Sequence, residues 1–106
     1  MARVIVSSSA LSHQLVPHAC DSVQLRIAGG RCSLWSEEAT TAVPCESNWT
    51  GVATVNVQAL LWALARIEDQ PITLDLHESI PSKLYAARRV HSETGPDTHT
   101  PLVFAL

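Results

Sequence analysis

The sequence predicts an α+β fold, with a largely antiparallel sheet carrying two helices on one face. Three observations predict it. Residues Val52 to Leu76 read as strand, capped amphipathic helix, tight turn and strand. Gly29-Gly30 separates two segments whose apolar residues alternate with polar ones. Further short apolar runs, Val4-Ile5-Val6 and Leu102 to Leu106, stand near the two ends of the chain. At 106 residues the chain suits one domain, residues 1–106, with a real core.

The elements follow in order. Arg3 to Ser7 is a short β-branched strand. Ser8 or Ser9 caps a helix that holds Leu11 and Leu15 on one side, and Pro17 ends it near Val16. Ser22 to Ile27 alternates, with Val23, Leu25 and Ile27 on one face. Both glycines of Gly29-Gly30 can take positive φ, the signal of a two-residue hairpin. On the return strand, Arg31 to Ser36, Cys32 and Leu34 face the core and Trp35 faces away. Thr40 to Cys45 is an edge strand, because Pro44 cannot donate to a ladder. Glu46 to Thr50 is a loop, in which Trp49 either packs into the core, the favoured reading, or meets a partner.

Asn56 then sits where an N-cap belongs. Val57, Leu60, Leu61, Leu64 and Ile67 repeat at helical spacing and make one apolar stripe. Asp69-Gln70-Pro71 stops that helix, since proline lacks the amide hydrogen and restricts the residue before it. Ile72, Leu74 and Leu76 form the buried side of the next strand. Ser79 to Ser82 turns around Pro81, Lys83 to Val90 is a strand, and His91 to Thr100 is a polar loop. Pro101 to Leu106 closes the chain as an apolar strand. The predicted order is β-α-β-β-β-β-α-β-β-β, and no internal repeat stands out.

Composition excludes several classes of function. Net charge is -3, so bulk electrostatics do not attract polyanions, and seven Lys+Arg leave little for a local basic patch. Four glycines leave no glycine-rich phosphate loop. Cys20, Cys32 and Cys45 are an odd set at wide spacing, which suits free thiols in a reducing cytoplasm. His18-Ala19-Cys20 is half of a zinc site without a CxxC or HxxxH partner. Val4-Ile5-Val6 breaks into Ser7-Ser8-Ser9, too short for a signal peptide, and no run is long enough for a membrane helix. The expectation is a cytoplasmic chain with no membrane contact.

Several side chains ask for an explanation. With the apolar stripe on the sheet, Gln58, Trp62 and Arg66 fall on the opposite side of the second helix. Trp62 there either stacks on a base or a protein partner, or folds under the His91–Thr100 loop as peripheral core. Lys83, Arg88 and Arg89, with His91, form the densest positive cluster, which reads either as a binding site or as a solvated strand end. His77-Glu78 and His91-Ser92-Glu93 hint at acid/base chemistry, yet no motif orients a nucleophile. The expectation is no enzyme, no cofactor and no metal.

SVQLRIAGGRCSLWSEEATTAVPC, GVATVNVQALLWALARIEDQPITLDL, SKLYAARRV and PLVFAL together resemble one domain of the bacterial replicative DNA sliding clamp. The resemblance spans nearly the whole chain and lies in apolar pattern and turn placement. It implies a clamp-domain-like fold and a non-catalytic role in DNA transactions. Three departures matter. Clamps carry two or three such domains per chain, so a ring built from this one needs about six copies joined through unpaired sheet edges. The helices that line the clamp's DNA channel would here offer His13, His18 and Arg66, which makes DNA affinity weak. The clamp's peptide pocket lies between domains that this chain lacks.

The leading expectation is therefore a protein acting through protein contacts, as a homo-oligomer, with Gln58, Trp62, Arg66 and His13 on its partner- or DNA-facing surface. The alternative is a small adaptor or inhibitor from a mobile element or phage that binds a larger host protein. An enzyme using His77 or His91 is a third class. It requires a pocket with a histidine and a second convergent polar group.

Overall fold

The structure is a computed structural model that describes residues 2–77, 82–90 and 93–106, with the backbone alone at Ala2, Arg89 and Val90. The described chain runs β1 (Ala2–Ser7), α1 (Ser8–Leu15), β2 (Ser22–Ala28), β3 (Arg31–Trp35), β4 (Thr40–Pro44) and β5 (Glu46–Ser47). It continues with β6 (Gly51–Asn56), α2 (Val57–Leu64), β7 (Pro71–Leu76), β8 (Lys83–Val90) and β9 (Thr98–Ala105). The α+β class holds. The strands, expected in one sheet, divide among the described residues into a five-stranded sheet, β5-β1-β7-β8-β9, and a four-stranded sheet, β4-β3-β2-β6. Every pairing in both sheets is antiparallel.

Alternation explains the core. Val4 and Val6, Val23, Leu25 and Ile27, Cys32 and Leu34, and Ile72, Leu74 and Leu76 turn to one side of their strands and are buried. They join Leu11 and Leu15 of α1 and Val57, Leu60 and Leu64 of α2 in one apolar cluster. The hairpin turn is the expected one: Gly29 and Gly30 have φ of 56° and 77°, where a side chain would be strained.

Local boundaries depart from expectation in four places. Ser7, one residue earlier than expected, caps α1, and its Oγ accepts from Ala10 N–H at 3.4 Å. Asn56 caps α2 as expected, its Oδ1 accepting from Ala59 N–H at 2.8 Å. That helix ends at Leu64, well before Pro71, and Ile67 packs half-buried beyond it. The reason is register. Residues 65–70 must reverse early so that Ser8 Oγ can accept from Gln70 N–H at 3.0 Å and Pro71 can lie opposite Ser7. Glu46–Ser47, read as loop, pairs with β1, and Ser47 Oγ donates to the Arg3 carbonyl at 2.8 Å. β9 begins at Thr98, inside the segment read as polar loop. The turn around Pro81 and the His91–Ser92 pair lie outside the described residues, although Ser82 and Lys83 fit the reading.

A repeat unnoticed in the sequence organises the whole fold. β6, α2 and β7 each begin 49 residues after β1, α1 and β2 (Gly51 after Ala2, Val57 after Ser8, Pro71 after Ser22). The pairing registers match as well: Ser7 faces Pro71 and Asn56 faces Ser22. Ser8 N–H donates to the Gln70 carbonyl and Val57 N–H to the Asp21 carbonyl, the same bond in each half. The halves exchange strands, because β1 joins the sheet of β7–β9 while β6 joins the sheet of β2–β4.

Candidate functional site

The second helix presents the face that its periodicity predicts. Gln58, Trp62 and Arg66 are all exposed, Arg66 standing just past the helix end. Trp62 is 54% exposed. Its ring meets Phe104 of β9 edge-on, with centroids 5.8 Å apart. The Arg66 guanidinium lies over the ring, 3.5 Å from its centroid, and its Nη1 donates to the Trp62 carbonyl at 2.9 Å. Trp62 therefore rests on the closing strand through Phe104. Beside it runs an apolar groove of about 420 Å³, lined by Ala59, Trp62, Val103, Phe104 and Ala105. Val103, at 56% exposure, leaves one wall open.

The groove borders an unpaired sheet edge. β9 is one outer strand of its sheet and β4 one outer strand of the other, with the two-residue strand β5 and the strand β6 at the opposite ends, among the described residues. In an antiparallel ladder, alternate residues direct both backbone groups toward the partner strand or away from it. Leu106 N–H donates inward to the Ser82 carbonyl at 2.8 Å, so Ala105, Val103, Pro101 and His99 direct theirs outward. Cys45 N–H donates inward to the Gly30 carbonyl at 2.9 Å, so Pro44, Ala42 and Thr40 direct theirs outward. Each edge thus has one proline at an outward position, where its missing N–H ends a run of available donors. What remains open is Thr40–Val43 on β4 and Leu102–Ala105 on β9.

The other predicted site residues scatter. His13 occupies in α1 the position that Trp62 occupies in α2, and is exposed. It shares no hydrogen bond or ring contact with Trp62; its Nδ1 lies 3.4 Å from the Ser9 carbonyl. The basic cluster is not one patch. Lys83 and Arg88 lie at opposite ends of β8 and, by strand alternation, on opposite faces. Arg88 instead joins Arg66 and Glu68 along one cavity of about 380 Å³. Arg89 pairs its backbone with His99, and its side chain lies outside the described residues.

His18, expected beside His13 on a DNA-facing surface, is buried at 3% exposure. Its Nδ1 lies 2.6 Å from Ser36 Oγ and its Nε2 2.9 Å from Thr41 Oγ1. Sequence reasoning missed this constellation because its members are far apart in the chain and follow no motif. Among the described residues no group of His, Cys, Asp and Glu could hold a metal. Burial pushes the Cys32 thiol up to about 12, helped by neighbouring Cys45, whose own thiol burial also raises. Neither is a ready nucleophile. His77 Nε2 pairs with Asp75 Oδ2 at 3.3 Å on the flank of β7. His91 and Glu78, which the enzyme reading used, lie outside the described residues.

No protein-family model, curated protein or solved structure matches the chain. No helix among the described residues is long and apolar enough to cross a membrane.

Proposed function

We propose that this chain is a non-catalytic, clamp-domain-like unit that assembles head to tail with further copies of itself. The edge of β4 in one copy lies against the edge of β9 in the next. The observation that carries the reading is the match between the two open edges. Run antiparallel, Thr40 meets Ala105 and Ala42 meets Val103, each pair exchanging two backbone hydrogen bonds. Pro44 then meets Pro101, and the ladder stops where neither strand has a donor. The Trp62 groove beside β9 supplies the apolar contact that an edge alone lacks. A role in DNA transactions follows from the clamp resemblance, with weak affinity, since Arg66 is already held by Trp62.

Two variants test the proposal, because each blocks one edge. Proline at an outward position removes a donor without touching the inward ladder, so Ala42→Pro and Val103→Pro are each expected to be folded and monomeric. Mixed together they are expected to form heterodimers and nothing larger, through the one intact edge of each. Light scattering reads the result. Association of Ala42→Pro alone would defeat the head-to-tail arrangement, and a wild type that stays monomeric at high micromolar concentration would defeat self-assembly. A monomer that recovers one foreign protein in stoichiometric amount favours the adaptor reading.

A further inference from the structure

We propose that His18 is a pH-sensitive latch that ties the edge strand β4 to the connection following helix α1 while neutral and loosens that tie on protonation. The ring sits in the connection between α1 and β2 and bonds to Ser36, just past β3, and to Thr41, inside β4. Thr41 Oγ1 donates onward to the Gln14 carbonyl in the last turn of α1, at 2.9 Å. One imidazole therefore joins the α1–β2 connection to the end of β3 and to β4, beside the direct Thr41–Gln14 bond between β4 and α1.

The network assigns the tautomer. Because the Thr41 hydroxyl gives its proton to Gln14, its oxygen accepts from His18 Nε2–H. Nδ1 is then unprotonated and accepts from the Ser36 hydroxyl. A second proton on the ring must go to Nδ1, where it reverses that bond, so that Nδ1–H donates to Ser36 Oγ. Ser36 has to turn its hydroxyl toward the Ala39 carbonyl, 3.5 Å away, while its oxygen already accepts from Ala39 N–H at 3.3 Å. The new charge is surrounded by hydroxyls and carbonyls. Asp21 follows the ring in sequence, and Glu37 and Glu38 lie between β3 and β4; all three are exposed, and none forms an ion pair with it. Helix α1 adds only His13, which is exposed, and β4 has no charged residue.

The fold itself does not require a histidine here. The matching position of the second half is Ile67, half-buried against the same core. The second half packs there with an aliphatic side chain, so the polar tie belongs to β4 specifically.

Burial holds the ring below its ordinary value of 6.5, so the open form binds protons more readily than the closed one. The tie is therefore fully present above that value and is lost as pH falls through the lower one of the closed form. Between pH 7.5 and 5.5 the opening equilibrium is expected to rise by up to about tenfold, the ratio set by an open-state histidine of ordinary pKa.

Amide hydrogen exchange of Thr41 and Val43, whose N–H groups face β3, corrected for the intrinsic pH dependence, measures this. It is best done in the Val103→Pro chain, whose β4 is intact and whose state does not depend on whether the wild type assembles. β4 is expected to lose protection severalfold from pH 7.5 to 5.5 while β2 does not, and His18→Gln and His18→Ile are expected to abolish the difference. The imidazole carbon shift in the unmutated ring reads its protonation directly, even if a variant fails to fold. A folded-state ring that titrates at or above its ordinary value would overturn the latch. So would equal loss of protection in β2 and β4, or a pH response that persists in folded His18→Gln.

Discussion

At Gly51 a methyl group has nowhere to go. A Cβ there would lie 2.6 Å from Cη2 and 2.7 Å from Cε2 of Trp49, whose ring packs over the start of β6. Gly51→Ala is expected to cost about 1–3 kcal/mol in urea unfolding, as overpacking does. Trp49→Leu in the same chain should recover part of the loss, since the clash is with the ring; additive losses would show that the ring is not the obstacle. At Trp62 the expectation is opposite. The ring is already half in water, so Trp62→Ala opens no core cavity and should cost under about 1 kcal/mol of monomer stability. It should weaken association by about 2 kcal/mol if the ring is a hot spot. A loss of several kcal/mol in the monomer with unchanged association would place Trp62 in the core. Its outward position was legible because helical period alone decides it. The burial of His18 was not legible, because Ser36 and Thr41 reach it only through the folded sheet.

Pro71 poses a problem for the element it begins. Its position in β7 faces Ala87 of β8, where a ladder needs an N–H that proline lacks. The neighbouring side chain fills the place. Gln70 Nε2 donates to the Ala87 carbonyl at 2.8 Å, and Ala87 N–H donates to Gln70 Oε1 at 2.9 Å, so the carboxamide imitates a peptide unit. Gln70→Ala leaves both groups of Ala87 unpaired and should destabilise by about 1–3 kcal/mol. Denaturant midpoints check this, and an unchanged midpoint would mean that water replaces the amide freely. The Asn56 cap and the Gly29-Gly30 turn were legible in the sequence because each acts through its own backbone, whereas Pro71, read as the helix stop, begins β7 instead. The true end of α2 depends on Ser8, most of the chain away, which holds residues 68–70 in place. Two-residue β5 has no period to detect.

The two halves of the molecule are one structural unit used twice, interlocked by exchange of their first strands. Between the repeated segments, residues 2–28 and 51–77, the identical pairs are Val6/Val55, Ala10/Ala59, Leu11/Leu60, Leu15/Leu64 and Leu25/Leu74. Four of these pairs are buried in both halves; of the alanines, Ala10 packs partly against the core and Ala59 is half-buried in the wall of the Trp62 groove, so identity between the halves concentrates where packing demands it. That is why the α+β class was readable while the two-sheet arrangement was not: alternation tells which side of a strand is buried and nothing about which strand lies beside it. The exchange predicts that neither half folds alone. Residues 1–48 and 49–106, made separately, should each lack near-ultraviolet circular dichroism and regain it on mixing; a folded single half would show that its own strands suffice. The same exchange sets a timetable for synthesis. β2, β3, β4 and β6 come from one continuous stretch and can pair as soon as it is made. β1 is made first and must wait for β7, some 64 residues later, before Ser7 can meet Pro71. Closing a loop of that length costs about 4 kcal/mol in chain entropy. Until then Val4, Val6, Leu11 and Leu15 stay uncovered on a nascent chain, and on a crowded polysome a neighbouring chain's β7 offers them the same partner.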